Sequence, residues 1–140
     1  MKLYKITGMK GEAINGCSGT WKKPHGNRPG AWMPTIEKIV PCESGYHLVK
    51  REQLLQWLCV GIGWEAEGKR NHLDCDDKSV WSEARLIRKV GTLTEKNLRL
   101  FAADCAERVL PIFERDYPND DRPRKAIRAA RDYAHRRTGA

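Results

Sequence analysis

All five tryptophans of this 140-residue chain lie at or before residue 81, and this distribution is the strongest constraint on its fold. Each ring is large and mainly apolar, so it needs a packed environment, which a chain of this length can supply in few places. Residues 82–140 contain no tryptophan and must pack around Leu, Ile, Ala and Phe instead. The sequence therefore predicts an aromatic front part and an aliphatic back part.

Alternating apolar and polar residues indicate several short strands in the front part. The alternation is clearest at residues 62–67, where Ile62, Trp64 and Ala66 are separated by a glycine and a glutamate. Similar alternation predicts strands at 2–7 and 79–90, and further short strands are predicted at 36–40 and 46–49. Leucines on one face predict a helix at 50–59, and polar residues predict a turn at 68–77. These elements build a small mixed or antiparallel sheet with one helix, which is an α+β fold.

The back part has the periodicity of helices. Thr94 is a good N-cap, and the apolar residues after it recur at spacings of three and four, which predicts one helical stripe. The stripe consists of Leu98, Phe101, Cys105, Val109 and Ile112. Pro111 predicts a kink or a break just before it, because its ring collides with the carbonyl of Glu107.

A second helix follows the sequence Asn119-Asp120-Asp121, which is typical of a helix start. Its apolar face consists of Ala126, Ile127, Ala130 and Ala134. Small alanines let two helices approach closely, so residues 94–137 are predicted to form an αα-hairpin packed on the sheet. We expect a single domain in two parts, a Trp-rich α+β subdomain at 1–92 and the helical hairpin at 93–140.

The chain carries a net charge of +8 and has a pI of about 9.4, with positive charge in excess in both halves. A spread excess favours weak attraction to nucleic acid or to an acidic protein, in contrast to a dense basic arm. We find no export signal and no apolar stretch of about 20 residues that could span a membrane. Five irregularly spaced cysteines then indicate free thiols in a reducing, cytoplasmic compartment.

Two segments of the back part resemble a known family. Residues 101–114 (FAADCAERVLPIFE) and 120–131 (DDRPRKAIRAAR) are similar to the opening helices of an immunity-protein-like family found in bacteria and phages. The resemblance implies paired helices and an immunity-type role, in which the protein binds another protein.

The front part resembles small phage and prophage domains, through an opening Tyr-Lys strand and a loop rich in Trp, Gly and Pro. The shared elements include Cys42-x-x-Gly45-Tyr46-His47 and the strand end Glu65-x-Glu67-Gly68. This resemblance implies an origin in a mobile element, a cytoplasmic location in a bacterial host and a role in conflict between phage and host. It implies no particular reaction.

Two sets of residues are candidates for chemistry. A metal site could draw on Cys42, His47, His72 and Cys75, although no C-x-x-C pair is present and ordinary thiols and histidines are the alternative. Enzymes of the ADP-ribosyltransferase type use a basic residue, an aromatic residue and a glutamate on successive strands. The residues in that order here are Lys5, Tyr46, His47 and Glu65 or Glu67, with Lys5 where Arg or His is expected. The alternative is that they have surface and packing roles.

Two basic surfaces are candidates for partner binding. In the loop of residues 8–35, tryptophans beside cations would offer a stacking platform, unless the rings fold into the core. The loop candidates are Trp21, Lys22, Lys23, Arg28 and Trp32. On the second helix, Arg124, Arg128 and Arg131 share a face that could grip phosphates or an acidic protein, or be only a solvated face.

From these patterns we expect a non-enzymatic binding protein without a cofactor, which occupies a surface of a host or defence complex. An anti-CRISPR-like inhibitor and an immunity-type protein are the two forms of this hypothesis, and its partner is a protein or nucleoprotein of the host. The alternatives are a small ADP-ribosyltransferase-like enzyme and a nucleic-acid-binding accessory protein. The sequence sets neither the identity of the partner nor the oligomeric state.

Overall fold

The computed structural model describes residues 2–15 and 17–136, and it divides the chain into two units, Met1–Leu93 and Thr94–Ala140. The elements of the front unit are strands β1 (Leu3–Thr7), β2 (Tyr46–Leu48), β3 (Gly61–Asp74) and β4 (Ser79–Leu93), and a 3₁₀ helix (Arg51–Trp57). Those of the helical unit are α1 (Glu95–Asp116) and α2 (Arg122–Arg136). The predicted α+β class is confirmed. None of the helices in the described ranges has the length and apolar character to cross a membrane.

Neighbouring strands of the front unit are all antiparallel, in the order β1-β3-β4-β2. The two edges of the sheet also meet. The N–H of Tyr4 donates to the carbonyl of Val49 at 2.8 Å, and the N–H of Val49 donates to the carbonyl of Tyr4 at 3.0 Å. The sheet therefore curls so that its two edges meet. The backbone N–H and C=O groups of Tyr4 and Val49, which an open edge would leave unpaired, bind each other.

The core of the front unit combines two tryptophan rings with aliphatic side chains from all four strands. Trp21 and Trp64 are buried, and the indole N–H of Trp64 donates to the hydroxyl of Thr7 at 2.8 Å. The other buried members of this cluster are Leu3, Leu48, Ile62, Ala66, Ala84 and Leu86. An aromatic core in the front part is what the tryptophan distribution predicts.

Residues 30–36 of the Gly- and Pro-rich loop run along β4. Every third residue of this segment donates a backbone hydrogen bond to a carbonyl of the strand. The pairs are Gly30 with Leu86, Met33 with Ala84 and Ile36 with Ser82, at 2.8 to 2.9 Å. The predicted strand at 36–40 is wrong, since only Val40 of that stretch forms a bridge, an isolated one with Ser44. Pro34 has no N–H to donate, so the segment covers the edge without forming a continuous ladder.

The hairpin of β3 and β4 is longer than the sequence indicates. The predicted turn at residues 68–77 is wrong, because β3 continues to Asp74 and pairs there with Ser79. The register shifts between Lys69 and His72, and the residues beyond this irregularity are exposed and mostly polar. Without a buried face, the alternation that reveals a strand is missing.

The predicted helix at 50–59 is a 3₁₀ helix of seven residues. Two of its side chains bind the turn that joins β3 to β4. The amide of Gln53 donates to the carbonyl of Asp76, and the indole N–H of Trp57 donates to that of Asp77, both at 2.9 Å. These long-range bonds fix a helix that is too short to be stable alone.

The helical unit is the predicted αα-hairpin. Its two helices pack through a small seam that includes Ala103, Leu110 and Ile127. Thr94 caps α1 as predicted, since its hydroxyl accepts the N–H of Asn97 at 3.1 Å.

The helical stripe predicted on α1 lies outside this seam. The side chains of Phe101, Val109 and Ile112 are 45%, 57% and 60% exposed, whereas Ala103 and Leu110 are buried. The stripe is therefore not the face through which α1 packs against α2. α1 has two apolar faces. The one that packs against α2 has small or single side chains, whereas the spacing in the sequence is set by the larger side chains of the exposed face.

α1 runs through Pro111, so of the two predicted alternatives, a kink there or a break just before it, the break does not occur. Pro111 is exposed, and water can therefore bind the carbonyl of Glu107, which lacks its usual N–H partner. The helix ends at Asp116, as the Tyr117-Pro118 sequence predicts.

Gly68 of β3 lies beneath the indole of Trp81, and a Cβ atom at this position would overlap the ring. We expect Gly68→Ala to lower the free energy of unfolding by about 1 to 3 kcal/mol, the usual cost of overpacking. Gly63→Ala is the matched control in the same strand, because its added Cβ would lie 3.8 Å from the nearest atom. Urea unfolding followed by tryptophan fluorescence reports on the front unit alone, since it holds all the tryptophans. Equal stability of the two variants would contradict this packing.

Candidate functional site

A cavity of about 120 Å³ lies in the front unit, where β1 and the end of β2 meet. Its apolar wall includes Ile6, Ile14, Val49 and Trp57. The polar residues around it are Lys5, Asn15, Cys17, Cys42, His47 and Lys78. These residues come from two strands, the 3₁₀ helix and several loops, so the cavity exists only when the sheet has closed.

Lys5 brings a partly buried amine to this cavity. Its Nζ donates to the carbonyl of His47 at 3.1 Å and lies 5.2 Å from the centre of the Trp21 ring. In the described ranges, no carboxylate contributes to the electrostatics of this amine. Burial removes water from the ammonium ion and lowers its pKa from 10.5 to about 8, an effect that the thiols of Cys17 and Cys59 partly oppose.

His47 lines the same cavity as a neutral imidazole. Its Nε2 accepts the backbone N–H of Cys42 at 3.0 Å, which places the ring proton on Nδ1. Burial lowers the pKa of His47, and the positive charges of Lys5 and Lys78 lower it further. The ring therefore stays uncharged at neutral pH.

Lys78 is the second amine of the cavity, and its charge is compensated. Its Nζ lies 3.1 Å from both carboxylate oxygens of Asp77 and 5.2 Å from the centre of the Trp57 ring. Burial acts against the charged form, but hydrogen bonds with Asp77 and Cys42 outweigh it and raise the pKa of Lys78. Lys78 is thus paired with a carboxylate, whereas Lys5 forms no salt bridge with residues 2–15 or 17–136.

The backbone around the cavity is strained at two positions. Asn15 and Cys42 have φ values of 61° and 66°, in the left-handed region that side chains other than glycine seldom adopt. Arg70, in β3, is the only other non-glycine residue of this kind in the described ranges. Strained residues often cluster at binding sites, because the fold must compensate their cost.

The two glutamates considered for an enzyme are bound to arginines of β4. Glu65 accepts from Arg88 at 2.7 Å, and Glu67 accepts from Arg85 at 2.9 Å. Neither glutamate lines the cavity that contains His47. The predicted glutamate-centred reaction site is therefore not assembled.

Tyr46 and His47 are adjacent on β2, so their side chains point to opposite faces of the sheet. The Tyr46 ring packs against Trp21 with centroids 5.5 Å apart, and its hydroxyl donates to the carbonyl of Pro34 at 2.7 Å. Burial raises the pKa of Tyr46, with a contribution from Glu83. Tyr46 thus belongs to the core side, and only His47 reaches the cavity.

The candidate metal ligands form no common centre. Cys42 and His47 meet at the cavity, but there the imidazole is bound to a backbone N–H. His72 stacks on Trp81 with ring centres 4.3 Å apart, and Cys75 lies in the turn after β3. Across residues 2–15 and 17–136, no three His, Cys, Asp or Glu side chains are grouped to hold a metal ion.

The loop tryptophans are not a joint stacking platform. Trp21 is buried in the core, so the exposed-platform prediction is wrong for this residue, and the core alternative describes it. Trp32 is half-buried and has cations near its ring, with Lys69 at 4.2 Å and Arg85 at 4.6 Å from its centre. The remaining loop candidates, Lys22, Lys23 and Arg28, are exposed.

The sequence does not predict a buried carboxylate that lies near Trp32. Glu83 of β4 is buried and binds the hydroxyl of Thr35 at 2.7 Å, the amine of Lys69 at 2.8 Å and the guanidinium of Arg70. The hydrogen bond from Lys69, followed by the one from Thr35, lowers the pKa of Glu83. In an alternating strand a glutamate is typical of the solvent face, so no local signal indicates this network.

Most of the predicted arginine face of α2 is occupied within the hairpin. The pairs are Arg124 with Glu114, Arg131 with Glu107 and Arg131 with Asp104, at 2.7 to 2.8 Å. These bonds connect α2 to α1, and they raise the pKa of Arg131. Arg124 and Arg131 are thus already bound to carboxylates of α1, and a role of this face in partner binding stays a prediction. Arg128 is exposed, and no salt bridge to it is seen in the described ranges.

The outward stripe of α1, defined as Leu98, Phe101, Cys105, Val109 and Ile112, is the most extended apolar feature of the helical unit. At 100° per residue, it lies on roughly the opposite side of α1 from Ala103 and Leu110. Arg108 is exposed at its border, four residues before Ile112 and seven after Phe101. α1 thus offers an apolar surface with a cation beside it.

Comparison with known proteins connects the back part to a family. A family model described as "Imm-5 like putative immunity protein" matches residues 88–139, which include α1 and α2. The predicted likeness of the back part to an immunity-protein-like family is confirmed. No curated protein and no solved structure matches the chain.

Arg131 and Arg128 form a matched pair of arginines on α2: Arg131 binds two carboxylates, whereas Arg128 has no salt bridge to the residues that the structure describes. We expect Arg131→Ala to lower the thermal midpoint of the helical circular-dichroism signal, because Asp104 and Glu107 lose their shared partner. Arg128→Ala should leave that midpoint unchanged. A similar loss in both variants would mean that the arginines act through helix propensity and not through these bonds.

The lowered pKa of Lys5 predicts a pH dependence of stability. Below pH 8 the folded protein carries the full cost of the buried ammonium ion, and between about pH 8 and 10.5 the unfolded chain binds more protons. The free energy of unfolding, relative to that of Lys5→Met, should therefore rise over this range, by up to about 3 kcal/mol at ~1.4 kcal/mol per pKa unit. Urea unfolding at several pH values measures the difference. A constant difference would show that Lys5 titrates normally.

Proposed function

We propose that this protein is a non-enzymatic binding protein of the immunity type, which acts by occupying a surface of an acidic partner protein. The contact surface is the outward stripe of α1, with Arg108 at its border. The family match supports the immunity-type role because it covers both helices of the unit that carries the stripe.

Exposure of the stripe is the observation that carries this proposal. Three of its large apolar side chains are about half exposed, and they follow one another along a single helix face. From Leu98 to Ile112 the face spans roughly 21 Å at 1.5 Å per residue. A contiguous apolar surface on a charged protein costs solubility, and such surfaces are typical of interaction sites.

Charge gives the chemistry of the partner. The chain has a net charge of +8, and Arg108 lies within reach of whatever covers Phe101 and Ile112. The matching surface is an apolar groove or helix with a carboxylate at its edge. Positive charge on the whole chain would also speed the encounter with such a partner.

Of the two forms of this hypothesis, the immunity-type protein is favoured over an anti-CRISPR-like inhibitor, because only the former has a family match. An origin in a phage or other mobile element and a cytoplasmic site of action are parts of the same proposal. They derive from the sequence resemblances of the front part.

The two alternative functions have less support. A nucleic-acid-binding role needs free cations, and two of the three α2 arginines are bound to carboxylates. An ADP-ribosyltransferase-like role needs a free glutamate near His47, and both candidates are held by arginines elsewhere. Steep loss of binding with salt, together with loss in Arg128→Ala, would favour nucleic acid.

A photo-crosslinking amino acid at position 109 should capture the partner protein in a bacterial lysate, whereas the same group at the exposed position 129 of α2 should not. The captured protein is then identified by mass spectrometry and purified. By titration calorimetry, Ile112→Asp should weaken its binding at least about tenfold, because a charge replaces an apolar contact.

Ala129→Asp is the matched control for this measurement, since it places the same residue on an exposed position of the other helix. Its affinity should equal that of the native chain, and circular dichroism should show that both variants remain helical. Equal affinities of Ile112→Asp and Ala129→Asp, or capture only from position 129, would overturn the proposed contact surface.

A further inference from the structure

We propose that the front unit carries a separate ligand site, in which the cavity beside Lys5 takes a small carbonyl compound and Lys5 binds it covalently as an imine. This site is independent of the partner surface on α1. Its ligand class is a short aldehyde or ketone with an apolar chain.

The size and lining of the cavity set this ligand class. An engineered protein cavity of about 150 Å³ holds a benzene molecule, so about 120 Å³ suits a compound of up to roughly six non-hydrogen atoms. Ile6, Ile14 and Val49 give it an apolar wall that fits a short carbon chain. The exposed thiol residues Cys17 and Cys42 lie at its border, where the cavity is open to solvent.

The environment of the Lys5 amine favours reaction with a carbonyl carbon. Its single hydrogen bond in the described ranges goes to a backbone carbonyl, and it has no salt bridge there. Such an amine gives up its proton more easily than an ordinary lysine, and only the neutral form is nucleophilic. Lys78, by contrast, is kept charged by Asp77 and is a poor nucleophile.

Formation of the imine balances without another reagent. The lone pair of Nζ forms a bond to the carbonyl carbon, the C=O π bond breaks, and a proton moves from nitrogen to oxygen to give a carbinolamine. The C–O bond then breaks, water leaves, and the nitrogen loses its remaining proton as the C=N bond forms. His47 lines the cavity as a neutral imidazole with a proton on Nδ1, so it can donate a hydrogen bond to the carbonyl oxygen, while water at the open side of the cavity supplies the proton that the departing hydroxide needs and accepts the one that nitrogen loses.

The competing explanation is that Lys5 only supports the closed sheet, through its bond to the carbonyl of His47. Substitution of Lys5 cannot separate the two explanations, because it removes the bond and the nucleophile together. Ile14→Trp separates them, since it fills the cavity and leaves the amine in place. Ile14 takes no part in the hydrogen bond between Lys5 and His47, so the substitution leaves that bond in place.

The test uses the purified full chain, with propanal as the probe and cyanoborohydride to trap the imine as a stable secondary amine. Peptide mass spectrometry measures the labelling rate at each lysine and distinguishes Lys5 from the N-terminal amine. At pH 7 about a tenth of the Lys5 amine is neutral, if its pKa is about 8, against far less for an ordinary lysine. We expect Lys5 to react at least about tenfold faster than the exposed Lys22.

Two comparisons make the test decisive. Naphthaldehyde is too large for the cavity and should label Lys5 no faster than Lys22, and Ile14→Trp should abolish the preference for propanal at Lys5. Circular dichroism and tryptophan fluorescence confirm that this variant is folded. If propanal labels Lys5 no faster than Lys22, or if the preference survives in Ile14→Trp, the proposed site is overturned, whatever the outcome of the partner-binding experiment.

Discussion

The two hydrogen bonds between Tyr4 and Val49 are the constraint on which the front unit depends. They join the two edges of a four-stranded sheet whose outer strands are short, and so remove an edge that would otherwise be exposed at that level. They also bring β1 beside the end of β2, which places the amine of Lys5 against the carbonyl of His47, 42 residues away in sequence. The cavity is a product of this closure, because neither strand could form it alone.

The α+β class and the hairpin of α1 and α2 could be predicted, because alternation, helical spacing and caps are local properties of the sequence. The errors lie where distant contacts decide. Residues 68–74 continue β3 through pairing with β4, although their own pattern resembles a turn. Pro111 lies inside a helix because it is exposed to solvent, which spacing cannot reveal.

The candidate sites could be predicted only in part, for the same reason. His47 and Lys5 were singled out for their chemistry, but their shared cavity with Trp57 and Lys78 depends on how the sheet closes. The salt bridges of Arg131 to carboxylates on α1 join residues 24 and 27 positions apart, so a face that looks free in sequence is occupied. The stripe of α1 was found by its spacing, but spacing alone does not tell an inward face from an outward one.

The segment at residues 30–36 carries a different kind of constraint. Three of its hydrogen bonds to β4 come from backbone N–H groups, at every third residue, so these three depend on the length and course of the chain more than on its side chains. A single insertion or deletion would therefore shift all three backbone bonds at once, and Gly30 has no room for a Cβ atom beside the carbonyl of Lys22. In evolution, such a stretch would change its length less readily than the amino acids at its exposed positions, such as Ala31.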